Sequence, residues 1–181
     1  MNLSPKNYQA FSVTGDGGRL RQIFAPVSVS LSREIANIFH LPTPVIAVNS
    51  LWDTGASITS ISKKLAGQLS LPAVGRQKIQ CAGEPYESCI YQIDLILPNK
   101  VGFSNVKVTE FKDSDKFDVL VGMDIITSGD FAITNANNIT VCSFRIPPNI
   151  EHIDYVKDHQ NTASAQKAIQ KFKRREKHRR H

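Results

Sequence analysis

Apolar positions recur along the chain in short runs, many at a strand's period of two. The clearest alternation is VGFSNVKVTEF (101–111), which predicts a strand with one face buried. PVIAVNSLW (44–52) is a nearly unbroken apolar run and predicts a buried strand ending at Asp53. KFDVLVGMDII (116–126) predicts a second buried strand, then a glycine and the start of a turn or helix. Three segments predict hairpins. FSVTGDGGRLRQIFAPVSVSLS (11–32) places Gly-Asp-Gly-Gly between two β-rich arms. RQKIQCAGEPYESCIYQIDLILP (76–98) turns at Gly83–Tyr86, and DFAITNANNITVCSFRIP (130–147) turns around Asn135–Asn138. Helical spacing is confined to two short stretches. Ile35, Ile38 and Phe39 share a face before Pro42; Leu65 and Leu69 lie one step apart before Pro72, with Ser62 placed as N-cap.

Eight or nine short strands with two short helices predict a mainly β, closed, barrel-like domain rather than a βαβ sheet. The expected organisation is an N-terminal extension over residues 1–19, a domain over 20–148 closed by Pro147 and Pro148, and a C-terminal tail over 149–181. The tail, with Ala165, Ala168, Ile169 and Phe172 along one side, is expected to be partly helical or disordered.

Charge separates the same two parts. The 181 residues carry a formal net charge of +6. Residues 157–181 hold nine Lys and Arg against Asp158 and Glu176; the other 156 residues hold thirteen basic and fourteen acidic side chains. The body is therefore near neutral, and only the tail offers a surface for an acidic partner, nucleic acid or an anionic membrane. A solvated extension and a removable segment are the other two readings of the tail.

Three cysteines do not make a disulfide framework, no secretory leader is visible, and no apolar run is long enough to span a bilayer, so a cytoplasmic setting is expected. Cys81 and Cys89 flank Pro85 and would face each other across a hairpin turning there; two reduced thiols are the expectation in a reducing compartment. The five histidines show no ligand spacing with the cysteines, so neither a metal nor another cofactor is expected. Serine and cysteine hydrolase motifs are absent as well.

The chemistry concentrates in SLWDTGAS (50–57). An acid at a strand end, followed by a hydroxyl and a glycine, also suits an ordinary polar turn. The catalytic alternative is peptide hydrolysis by two carboxylates sharing one proton. The ionised partner then activates a water and the protonated one polarises the scissile carbonyl. Thr54 can hydrogen-bond across such a pair, and Gly55 lets backbone and substrate approach closely.

The ordered combination of LWDTGAS, the hairpin KIQCAGEPYESCIYQ and VLVGMDII resembles the retropepsin-like, single-domain aspartic proteases related to pepsin, over about residues 20–147. The resemblance implies the closed acid-protease barrel, with the hairpin as a flap and Leu120–Val121–Gly122 packed against the catalytic loop. It implies Asp53, Thr54 and Gly55 as catalytic residues, and Ala56, Ser57, Gly83, Tyr86 and Val121 as substrate-binding. Asp124 is implied as a structural hydrogen-bonder. Retroviral members often pair an acid at the position of Ser57 with an arginine at that of Met123; both are absent here, which suggests a different subsite. Trp52 reads as a core aromatic or as a shield keeping the acids dry.

No second Asp-Thr/Ser-Gly occurs in the chain. The resemblance therefore implies a homodimer in which Asp53 of each chain meets its mate on a two-fold axis. The expected activity is that of an aspartic endopeptidase acting on an extended polypeptide. The alternative is a retropepsin-fold binding or scaffold protein with little turnover. Retroviral members interleave both termini into one sheet; with long extensions at both ends here, the sequence does not choose the segments that close the dimer.

Overall fold

A computed structural model describes residues 7–79, 85–112, 114–163 and 166. Among them, six strands close a barrel. In spatial order these are β2 (Ile23–Leu31), β3 (Ile46–Trp52), β8 (Val119–Val121), β4 (Ser60–Ser62), β7 (Gly102–Phe111) and β6 (Tyr86–Ile96), with β6 returning to β2. β5 (Gly75–Ile79) lies on the outer edge of β6. The β3–β8 and β4–β7 pairs are parallel and the remainder antiparallel. The expected mainly β, closed, barrel-like domain is what forms. Short helices join the strands, among them α1 (Arg33–Phe39), α2 (Lys63–Gln68) and α3 (Met123–Ile126).

β2 shows why the barrel closes. Ile23, Ala25, Val27, Val29 and Leu31 all point inward and are buried. Its first part pairs with β3 and its last four residues with β6, so one strand serves two neighbours at a corner. Pro26 is tolerated because β6 joins only from Ser28 onward, leaving that edge without a ladder at Pro26.

The β6–β7 register slips by one residue between Ile93 and Leu95. Asn105 takes a left-handed conformation there, and its N–H donates to Asp94 Oδ1 at 2.9 Å. The Asn105 side chain accepts from Ser32 Oγ and donates to Glu34, which ties the bulge to α1. Ser62 caps α2 as expected, its Oγ accepting from Leu65 N at 3.0 Å, and its own hydroxyl proton goes to Asp118.

A second sheet has the order β1 (Gln9–Thr14), β10 (Val141–Ile146), β9 (Asp130–Thr134). This corrects two expectations. The arms around Gly-Asp-Gly-Gly do not pair with each other: β1 pairs with β10 over six residues, while β2 pairs with β3. The intervening loop wraps buried Thr140 instead. Gly15 N donates to Thr140 O, Thr140 N to Gly18 O, and Leu20 N to Thr140 Oγ1. Residues 9–14 are thus a strand of the body and not a separate extension, with Phe11 packed edge-on against Trp52. Gly129, entering β9, has no alternative: a Cβ there would lie 2.1 Å from Arg145 O and 2.8 Å from the Phe144 ring.

Cys142 on β10 is buried, and burial pushes its thiol up to about 11. In the folded chain near pH 8, where an ordinary thiol is partly ionised, Cys142 is expected to resist alkylation and to react on unfolding. Mass spectrometry of its peptide checks this.

The body ends at Pro148, and residues from Asn149 on belong to a separate unit. Residues 155–163 of that unit are helical, with Asp154 Oδ1 accepting from Val156 N and Lys157 N at the N-terminus. Of the tail beyond 163 only residue 166 is described. Among the described residues no helix is long and apolar enough to cross a membrane.

Candidate active site

Asp53 follows the last residue of β3, where the parallel partner β8 ends alongside it. Its N–H donates to Val121 O at 3.0 Å, extending the β3–β8 ladder by one bond. Its Oδ1 accepts from Gly55 N at 2.8 Å, and its carbonyl accepts from Ala56 N at 3.2 Å. The carboxylate is thereby aimed by the backbone of its own turn and is half-buried. Thr54, Gly55 and Ser57 are exposed, and Ala56 is half-buried.

Gly122 closes the loop from the opposite side. Met123 N donates to Ala56 O at 2.8 Å. A Cβ on Gly122 would lie 2.7 Å from Ile58 C, 2.9 Å from Ile58 O and 3.0 Å from Ala56 O. Only a residue without a side chain lets the two segments come this close.

The pair Thr59–Asp124 then locks the arrangement. Thr59 is fully buried; its Oγ1 donates to Asp124 Oδ1 at 2.7 Å and accepts from Gly122 N at 3.1 Å. Its N–H is shared between both Asp124 oxygens at 3.0 Å. Asp124 also accepts from Ile125 N. Asp124 is therefore a structural hydrogen-bonder, as the resemblance implied. Thr59 is the residue that sequence reasoning missed: an isolated threonine six positions after Asp53 has no period or motif to mark it, and its partner lies 65 residues away.

Val121 needs a correction. It is fully buried in the barrel core and offers its carbonyl to Asp53, so it supports the loop from behind and presents no side chain to a substrate. Tyr86 is exposed at the start of β6, opposite Ile79, bordering a recess of about 260 Å3 with Lys63, Ser88 and Glu110. Ser88 Oγ bridges to the Glu110 backbone, and Tyr91 Oη donates to Glu110 Oε2 at 2.7 Å, which anchors the hairpin to β7. Burial and then the Glu110 carboxylate hold the Tyr91 hydroxyl well above the usual phenol range. Gly83 and Cys81 lie outside the described residues. The β5–β6 register places Arg76 opposite Cys89.

Trp52 takes the core reading. It stacks on Phe131 at 5.7 Å and packs against Phe11 and Phe144. It also walls a recess of about 350 Å3 beside Asp53 and Thr54, completed by Arg21, Ile23, Leu51, Phe131 and Ile133. Among the described residues no three His, Cys, Asp or Glu side chains gather. Asp53 is the acid this loop presents.

An acid at a strand end, a glycine-dependent second loop clasped to it and a closed six-strand barrel are the features to compare with known proteins. Residues 45–125 match the family model described as aspartyl protease, a span that takes in both Asp53 and Gly122. The resemblance to retropepsin-like members read from the sequence is borne out. Among solved structures, the chain is similar to a retropepsin-like aspartic protease from Rickettsia conorii, with 14% identity, a TM-score of 0.45, and coverage of 78% of this chain and 97% of that one. It is also similar to the retroviral protease-like domain of Ddi1 from Leishmania major, with 14% identity, a TM-score of 0.39, and coverage of 75% and 99%. Comparison with curated proteins returns no match.

Proposed function

We propose that this chain is an aspartic endopeptidase whose active site is assembled from two copies, each contributing Asp53. The observation that carries the reading is the Asp53 turn itself: the carboxylate is oriented by Gly55 N–H at 2.8 Å and its loop is fixed through Gly122, while the flanking Thr54 is exposed. A rigid, outward-facing single acid is half of a proton-sharing pair. In the paired site one carboxylate takes a proton from water and the other donates one to the carbonyl oxygen of the scissile bond. Thr54 would hydrogen-bond across the two-fold. Exposed Ser57 and Tyr86, with half-buried Ala56, would contact an extended polypeptide held by main-chain hydrogen bonds.

The test uses the full chain and an unfolded polypeptide substrate. Internal peptide-bond cleavage is expected, with an initial rate rising as the square of enzyme concentration where most of the protein is monomeric. A rate strictly proportional to concentration throughout a range in which sedimentation shows dissociation would sink the two-copy site.

A further inference from the structure

The recess of about 260 Å3 beside Tyr86 takes no part in the chemistry at Asp53, and its charges are unevenly matched. Lys63, Glu87, Glu110 and Lys112 all border it. Both carboxylates are already engaged. Glu87 Oε2 lies 3.2 Å from Arg76 Nη1, and Glu110 Oε2 accepts from Tyr91 Oη at 2.7 Å. The two lysines are exposed, and neither ammonium forms an ion pair or hydrogen bond among the described residues. Counting Arg76, Lys63 and Lys112 against Glu87 and Glu110, this end of the hairpin carries one surplus positive charge.

Its place in the fold suits a substrate side chain. Lys63 follows Ser62 at the end of β4, and Ser62 pairs with Phe111, next to Lys112. The start of β6 forms the other wall. β4 begins opposite Leu120, one residue before Val121, whose carbonyl holds Asp53 N. With β3, β8 and β4 side by side, the recess lies roughly 10–15 Å from Asp53 at ordinary strand dimensions, the span of about three to four extended residues. A polypeptide drawn out from the acid past Tyr86 passes over it.

Resting on the endopeptidase reading above, we propose that this recess takes an acidic side chain of the substrate, Asp or Glu, about three to four residues from the scissile bond. Lys63 and Lys112 supply the ammonium partners, the Tyr86 hydroxyl a donor, and Phe111 an apolar wall for the side-chain stem. Two copies carry two such recesses, so the preference falls on both sides of the bond. The attraction is between exposed groups; it changes rates by a modest factor and is screened by salt.

Unfolded peptides that differ only in carrying Glu, Gln or Lys at those positions test this on the full chain. The Glu peptide is expected to show a kcat/KM roughly three- to tenfold above the Gln peptide, with the Lys peptide slowest and the spread shrinking at high salt. The double variant Lys63→Glu/Lys112→Glu is expected to invert the order, whereas Lys107→Gln, exposed elsewhere on β7, should keep it. Equal rates in the parent, or the parental order in a folded double variant, overturn the acidic subsite and leave the endopeptidase reading standing. Absence of cleavage of all three peptides overturns that reading and the subsite with it. If acetate at constant ionic strength alters cleavage of the Gln peptide by the parent but not by the double variant, the occupant is a free carboxylate and the substrate assignment falls. Where circular dichroism shows the double variant unfolded, Lys112→Gln alone is expected to cut the Glu-over-Gln ratio about threefold; an unchanged ratio overturns the subsite.

Discussion

Asp53→Asn is expected to lower peptide-bond cleavage by at least ~10²–10⁴-fold, the usual contribution of a positioned acid or base. In the two-copy site the substitution removes both members of the pair at once, so the loss should sit at the upper end or beyond. Asparagine keeps the Oδ1 acceptor, and the 2.8 Å bond from Gly55 N–H should survive. Folding and dimerisation are therefore expected to be unchanged. The measurement is the initial rate on an unfolded polypeptide, beside sedimentation of the same preparation. Retained cleavage in a correctly dimeric variant would remove Asp53 from the chemistry and favour the scaffold reading.

The second large effect is on stability. Thr59→Val keeps the shape of a fully buried side chain but removes its hydroxyl. That leaves Gly122 N–H without its 3.1 Å acceptor and Asp124 Oδ1 without its 2.7 Å donor. Gly122 is buried and its N–H loses its acceptor, whereas exposed Asp124 keeps the bonds from Thr59 N and Ile125 N, so the predicted loss is about 1–3 kcal/mol. Thr59→Ser retains the hydroxyl and should cost about 1 kcal/mol, for one lost methyl group. Equilibrium denaturation of the two variants checks the contrast; equal losses would mean that the methyl and not the hydroxyl matters. Because this lock holds Gly122 against the Asp53 loop, residual cleavage per folded Thr59→Val dimer should fall as well.

Much of the barrel was legible because its signals are local. The buried run ending at Trp52, the Ser62 cap and the Asn135–Asn138 turn each depend on residues within a few positions of one another. Pairing partners are not local, and that is where reading failed. Gly15–Gly18 looks like a hairpin turn, yet its hydrogen bonds go to Thr140, more than a hundred residues later. At the site, Asp53 and Gly122 were marked by motif. Val121 was given a substrate role that its complete burial denies, because a motif does not say which side of a strand a residue faces. Thr59 acts through a contact made only by the folded chain.

The central claim, one acid from each of two chains, is tested most directly by mixing. Wild-type chain is held at fixed concentration and equilibrated with a ninefold excess of Asp53→Asn chain. If each site needs both acids, random pairing leaves about one wild-type chain in ten with a wild-type mate, and cleavage should fall to about a tenth. Cleavage unchanged by the excess, at concentrations where sedimentation shows subunit exchange, would mean that one chain suffices.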